Sequence, residues 1–352
     1  GHTDRELLPP GEAEALTGGD AQVFEQGGTL TLEEHLRDPD GQERLFLSEK
    51  LLLQRPGKDD CLIGFSKDVT ETRRRAAELE ELRVGLLGGE NEADRMGRFG
   101  AYRELLERTF GVPTRLFPAS DYAGVLQAFS AKQIEIAGLG ASAYAGAWLD
   151  TNGGVEPLFV AEEADGSIHY LSVMVTRADS GITNMEQMRG KSLAWADANS
   201  ASGYLIPRFS LRRAGIGVEP GQYFSRTGFG GGHEQAVIAV LQRQYDASVT
   251  WTSGQGDEAQ GFSRGNLAAM VQKGLLNMRD LRIIWRSEPI LNGPMGTRTD
   301  LPAAFREDIK RFHLALPKTH PDIYKQIERG GGTGYREVRN PDGVLHDSQC
   351  RR

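Results

Sequence analysis

The chain has 352 residues, 39% of them hydrophobic, which is enough apolar material for the packed cores of two or three domains. Its 41 basic and 49 acidic side chains are mixed along the sequence and leave a net charge of −8, which excludes the basic footprint of nucleic-acid binding and of polybasic lipid attachment. No run approaches the roughly 18 unbroken apolar residues of a bilayer-spanning helix, so direct membrane insertion is not expected.

In chain order, Gly11–Glu25 reads as a helix after Pro9-Pro10, and Thr29–Leu36 alternates apolar and polar residues as a half-buried strand does. Asp38-Pro39-Asp40-Gly41 signals a turn, followed by strands over Arg44–Leu53 and Cys61–Val69 around a second turn at Arg55-Pro56-Gly57. Thr70–Glu81 is charged, lacks Gly and Pro, and predicts a solvated linker helix. From Arg83 strands and helices alternate: strand Arg83–Leu87, helix Met96–Phe110, strand Pro113–Phe117, helix Asp121–Lys132, strand Ile134–Leu139, and a helix from Ala141. The theme repeats with strand Ser192–Trp195, a helix from Ser202, strand Tyr223–Arg226, a helix from His233, and strand Ala247–Trp251. This order predicts mostly parallel α/β units in two lobes, with the apolar strands Tyr170–Thr176 and Leu281–Arg286 as the crossings between them.

The two cysteines, Cys61 and Cys350, have no Cys or His at metal-ligand spacing and make no disulfide framework. The chain opens on Gly1-His2 without an apolar leader segment, and the compartment is not read from it. Asp257-Glu258 point apart in a polar loop and form no catalytic carboxylate pair. No nucleophile elbow, Cys–His pair or metal cluster is present, so an enzyme is not expected.

Two helix starts carry the chemistry. In Asp197-Ala198-Asn199-Ser200-Ala201-Ser202-Gly203 a strand runs into small hydroxyl residues and then an apolar helix. The first amides of such a helix are unpaired and its dipole end is positive, which suits a phosphate-like anion; an ordinary Ser N-cap accounts for the same letters. In Gly228-Phe229-Gly230-Gly231-Gly232-His233-Glu234 small residues again open a helix, now with an imidazole that can donate to an oxyanion or sit exposed on a cap. No Lys-Ser/Thr pair follows the glycines, so this is not a P-loop.

The first 75 residues resemble the C-terminal half of a PAS sensor domain, through the strands around the Asp-Pro-Asp-Gly turn and the closing Gly64-Phe65-Ser66-Lys67-Asp68-Val69-Thr70-Glu71 before an Arg-rich helix. The opening strands of a PAS fold have no counterpart, which leaves a sheet face uncovered and an edge unpaired, and no cofactor is assigned. From about Arg83 to Tyr335 the segments Asp121-Tyr122-Ala123-Gly124, Ile136-Ala137-Gly138-Leu139-Gly140, Tyr170-Leu171-Ser172-Val173, Ser200-Ala201-Ser202-Gly203 and Gly232-His233-Glu234 resemble the phosphate/phosphite/phosphonate-binding proteins of ABC importers. The resemblance implies an α/β, two-lobed periplasmic-binding-protein fold (type II-like), preceded by a short α+β PAS-like fragment. The implied organisation is a PAS-like segment 1–70, a linker helix 71–82, and a binding domain 83–352 with lobe 1 at 83–172 and 287–352 and lobe 2 at 173–286.

By position in the family, Tyr122 and Tyr170 wall the anion, Ser200, Ala201 and Ser202 seat it, and His233 closes on it from the second lobe, so that each lobe presents one helix tip. Ala201 stands where the family commonly has Thr. Ser253 and Gly293 stand where aminoalkylphosphonate binders carry acidic residues. An ammonium without a counter-charge is costly to bury, so phosphate, phosphite or methylphosphonate is expected over 2-aminoethylphosphonate. Trp251 narrows the cleft or fills the core. The implied partners are the permease and ATPase of an importer, which places the domain in the periplasm or outside the cytoplasm. The alternative is a sensory input module that biases a signalling kinase, and the second alternative is an enzyme on the same fold.

Overall fold

The computed structural model describes residues 10–338 apart from 39, 55–59, 78, 89–90 and 331. The Arg55-Pro56-Gly57 turn, Pro39, Cys350 and the tail from Asn340 lie outside the described residues. The chain divides into two compact units, one made of residues up to Glu81 with Glu104–Pro113, the other of Leu82–Arg103 with Thr114 onward.

In the first unit α1 (Pro10–Gln26) precedes an antiparallel sheet of β1 (Thr29–Arg37), β2 (Glu43–Leu53) and β3 (Cys61–Asp68). The sheet face toward α1 carries a charged group among its leucines: the Lys50 ammonium lies 2.7 Å from Asp20 and 2.5 Å from Glu34, and Ser48 bonds Ser66 at 2.7 Å. Apolar side chains stand on the opposite face, where Leu51, Leu53 and Ile63 are exposed and Phe65 is 77% exposed. Helix α2 covers only Thr70–Ala76, shorter than the predicted Thr70–Glu81. Helix propensity favours the longer run, but Leu82 is fully buried as the first residue of the next sheet, paired with Thr114, so the backbone must become extended before it.

The second unit holds two six-stranded sheets. The first is ordered β15-β7-β14-β6-β4-β5, from β4 (Leu82–Leu86), β5 (Thr114–Pro118), β6 (Ile136–Gly138), β7 (Val155–Glu162), β14 (Pro294–Arg298) and β15 (Gly334–Glu337). The second runs β10-β9-β11-β8-β12, from β8 (His169–Arg177), β9 (Ser192–Trp195), β10 (Arg226–Phe229), β11 (Ala247–Thr252) and β12 (Leu281–Arg286), with β13 (Ile290–Leu291) on the start of β8. Each sheet has a parallel part, β6-β4-β5 and β10-β9-β11, and an antiparallel part, in place of the mostly parallel arrangement predicted. The antiparallel strand β7 escapes a periodicity reading because Pro157 interrupts it; the proline sits where the register against β14 slips, so its missing N–H breaks no regular ladder.

Two further expectations shift. The strand expected at Tyr223–Arg226 is β10, Arg226–Phe229, parallel to β9; Tyr223 and Phe224 are buried instead as loop residues, with the Tyr223 hydroxyl donating to the Met185 carbonyl at 2.6 Å. Strands β8 and β12 belong to the second sheet, and the chain passes between sheets just before and just after them, where the Asn292 N–H donates to the Ile168 carbonyl at 2.7 Å.

Alternation along β8 builds two cores at once. Val173 and Val175 pack with Val237, Val240, Leu267 and Met270, while Met174 packs with Leu193, Trp195, Phe224 and Val249. In the first lobe Val125 and Phe129 from α4 (Tyr122–Ser130) and Ala143 and Ala147 from α5 (Ala141–Asp150) close over Ile134, Ala137 and Val155.

His313, on α9 (Ala303–Thr319), is wholly buried. Its Nδ1 is 2.7 Å from the Ile309 carbonyl and therefore donates, which leaves Nε2 to accept from the Tyr102 hydroxyl at 2.6 Å. Burial pushes its pKa down to about 4 from the ordinary 6.5. The unfolded chain then takes up this proton at a higher pH than the fold does, so its contribution is intact above 6.5 and is lost as pH falls toward 4. Urea unfolding is expected to show stability dropping across that window, and dropping less steeply in His313→Gln; equal slopes in both proteins would contradict this.

Candidate functional site

Strands β9 and β10 are neighbours and parallel, so the loops at their carboxyl ends open side by side. After β9, Ser200 is the N-cap: its Oγ accepts from the Gly203 N–H at 2.9 Å. The helix begins as a π-turn, Ala201–Leu205, before α6 (Ile206–Arg213), and the Leu205 N–H reaches back to the Ser200 carbonyl at 3.1 Å. Such π-turns recur at functional sites because they re-aim a helix end. The loop before it is braced by Asp197, whose carboxylate accepts from the Asn199 N–H at 2.7 Å and whose pKa burial raises. After β10, Gly232 caps α7 (His233–Leu241), placing His233 in its first turn.

His233 Nε2 stands 3.1 Å from Ser200 Oγ, which joins the two helix starts directly. The other ring nitrogen, Nδ1, is buried without a hydrogen-bond partner. Burial, together with the positive charge of Arg329, holds the imidazole down to about 3, so it is neutral at physiological pH. If Nε2 accepts the Ser200 hydroxyl proton, Nδ1 carries the ring hydrogen and is an unsatisfied donor.

All six residues singled out from the sequence, Tyr122, Tyr170, Ser200, Ala201, Ser202 and His233, line one cavity of about 240 Å³. One feature of the expectation is corrected. The two helix tips do not come one from each lobe; both rise from β9 and β10 of the second sheet, because consecutive parallel units place their carboxyl ends together. The first lobe instead brings Tyr122 at the start of α4, the Gly138-Leu139-Gly140 segment before α5, and the stretch Ile327-Glu328-Arg329 after α10 (Pro321–Ile327). The two walls touch through Ser142 Oγ, which donates to the Asn199 carbonyl at 2.9 Å, and through the Tyr122 N–H, 3.4 Å from Asp197. Trp251 lines the cavity half-buried, edge-on to Tyr170 with ring centroids 5.6 Å apart.

The charged floor of the cavity was not read from the sequence. Arg264 lies 2.6 Å from Glu163 and 2.8 Å from Glu328, and its side chain is only 11% exposed. Burial works against its charge, but Glu328 and Glu163 outweigh it and raise its pKa. Glu328 also accepts from the Tyr335 hydroxyl at 2.8 Å, and Glu163 from Asn292 at 2.9 Å. Glu328 is thus a carboxylate in the cavity whose two oxygens are already engaged by Arg264 and Tyr335. No spacing in the sequence marks this group, since its members lie on four separate segments.

A family model described as "ABC transporter, phosphonate, periplasmic substrate-binding protein" matches residues 84–342, and a PAS-fold model matches residues 1–74. The chain belongs to the phosphonate-type periplasmic substrate-binding proteins. The family is one of binding proteins, not enzymes. The phosphonates-binding periplasmic protein of Escherichia coli is 28% identical over 260 residues, 72% of this chain and 71% of the relative. A binding protein component of an ABC phosphonate transporter from Pseudomonas aeruginosa shares the fold with a TM-score of 0.62 at 22% identity, covering 73% of this chain and 81% of that one. A shorter stretch of 120 residues, 34% of this chain, is 31% identical to the tetrathionate sensor histidine kinase TtrS of Salmonella typhimurium and covers 18% of it. Among the described residues no helix is long and apolar enough to cross a membrane.

The positions where this family member lacks acidic residues now have a physical account. Ser253 does not line the cavity; its Oγ bonds Ser263 Oγ at 2.9 Å. Gly293 does line it, but a Cβ there would stand 1.8 Å from the Leu139 carbonyl oxygen, so this backbone admits no side chain. Gly293→Ala is expected to cost about 1–3 kcal/mol in chemical denaturation through forced backbone displacement. Gly293→Asp with wild-type stability and a gained affinity for 2-aminoethylphosphonate would refute this account.

Proposed function

We propose that the chain binds a small tetrahedral phosphorus oxyanion in the cavity between the two sheets of the second unit. The observation that carries this reading is the meeting of the Ser200–Ser202 helix start with His233 at 3.1 Å in one pocket. Hydroxyls, helix-terminal amides and a neutral imidazole with an unsatisfied nitrogen form a donor set. Such a set suits ligand oxygens, and helix ends favour their negative charge. Closure of the two lobes around the ligand, with Tyr122 and Tyr170 as walls, sequesters it from water. Phosphate, phosphite and methylphosphonate fit this donor set. Among the described residues lining the cavity the carboxylate is Glu328, and Arg264 and Tyr335 already hold it, which disfavours an aminoalkyl group.

On this reading the chain delivers its ligand to the permease and ATPase of an importer, outside the cytoplasm. The PAS-fold match at residues 1–74 favours a second reading in which ligand-driven closure instead biases a signalling kinase. Cavity chemistry is common to both, and reconstitution with either partner separates them.

Isothermal titration with phosphate, phosphite, methylphosphonate, 2-aminoethylphosphonate and sulfate tests the ligand class. Ser202→Glu is expected to abolish oxyanion binding with the fold intact, by placing a like charge in the seat; retained affinity would remove Ser202 from it. His233→Ala is expected to weaken binding by about 1 kcal/mol, since a neutral donor loses one ordinary hydrogen bond.

A further inference from the structure

The seat is not polar on every side. Ala201 stands between Ser200 and Ser202 and is buried in an apolar cluster with Tyr170 and Ile290, against which Trp251 packs. Ala201, Tyr170 and Trp251 all line the cavity, so this cluster reaches its surface beside the two serines. The cavity of about 240 Å³ holds roughly eight waters at about 30 Å³ each, more room than a phosphate ion alone takes.

The strands fix where Trp251 stands. It is the antiparallel partner of Ser172 across β11 and β8, and directly opposed residues project to the same face of a sheet. Ser172 Oγ donates to the Ser202 carbonyl at 2.6 Å, so this is the face on which the Ser200–Ser202 turn rests. Tyr170, two residues before Ser172, projects from the same face. Its ring meets the indole edge-on with centroids 5.6 Å apart, and the Arg264 guanidinium lies 5.4 Å from the indole centroid. Trp251 is therefore held between Tyr170, which packs with Ala201, and Arg264, which is itself pinned by Glu163 and Glu328.

A tetrahedral ligand seated on the serines turns one of its four substituents toward this cluster. An oxygen placed against the Ala201 methyl and the aromatic carbons gives up water and meets carbon. Leaving a hydroxyl unpaired in this way weakens binding by roughly 5- to 100-fold, whereas covering a methyl group there strengthens it by about fourfold. We infer that Trp251 is a specificity-determining residue, which with Tyr170 and Ala201 receives a short uncharged carbon substituent in place of a fourth oxygen. This inference rests on the oxyanion reading of the cavity. It narrows the ligand class to phosphonates with a small alkyl group and sets inorganic phosphate below them.

The test is isothermal titration at pH 8.5 with inorganic phosphate, methylphosphonate and ethylphosphonate. Wild type, Trp251→Phe and Trp251→Gln are compared, with thermal melts of the unliganded proteins. Wild type is expected to bind methylphosphonate at least about tenfold more tightly than phosphate, and ethylphosphonate no more weakly than methylphosphonate. Trp251→Phe removes the indole N–H and keeps an apolar ring, so its preference is expected to stay within about threefold of wild type. Trp251→Gln offers a polar group and is expected to narrow the preference by about fivefold or more. If that variant does not fold, Ala201→Ser puts a hydroxyl on the same side and carries the same expectation. Wild type binding phosphate as tightly as methylphosphonate, or equal losses for both anions in the Trp251 variants, overturns the role of Trp251 and leaves the oxyanion site standing. A wild-type protein that binds none of these anions overturns the oxyanion reading itself, and this inference with it.

Discussion

Arg264 holds the two walls of the cavity in one arrangement. It lies just beyond β11 of the second sheet, yet its two carboxylate partners, Glu163 and Glu328, follow β7 and α10 of the first lobe. A guanidinium this deeply buried is costly to desolvate and is tolerated only with good geometry on several donors. Here two carboxylates meet it, Asn292 donates to Glu163 and Tyr335 to Glu328, and Trp251 lies under the guanidinium at 5.4 Å. Removing either acid would leave the buried cation a single carboxylate partner, so the three charges together link the two walls.

That arrangement divides the cavity by electrical character. On one wall the second sheet presents uncharged donors from two adjacent helix starts, with Ser200 bridging them. On the other, the Arg264 guanidinium is paired with Glu163 and Glu328, and Arg329 carries a positive charge that acts on His233. In a protein of acidic composition such a cavity still presents a local field of its own, which outweighs the net charge at short range. The neutrality of His233 has the same origin: burial and a neighbouring cation both disfavour its protonation.

The N-terminal unit follows different physics. Its sheet buries Lys50 and Glu34 beneath α1, where Asp20 also meets Lys50, and leaves Leu51, Leu53, Ile63 and Phe65 exposed on the other face. The linker helix after it proved shorter than its charge pattern suggested, since burial of Leu82 outweighed local propensity.

The order of the parallel strands and the helices that follow them, both helix starts and six of the residues lining the pocket were legible in the sequence. Each depends on neighbours in the chain: small residues after a strand, a Ser cap, an apolar run with helical spacing. What the letters could not show depends on contacts between distant segments. The antiparallel half of each sheet, the placement of both helix tips on one lobe, the steric need for Gly293 and the Glu163–Arg264–Glu328 group all arise from residues far apart in sequence. Hydrogen bonding and chain stiffness act over a few residues and so leave local patterns. Sheet register and charge pairing act through space and become visible only once the chain has folded.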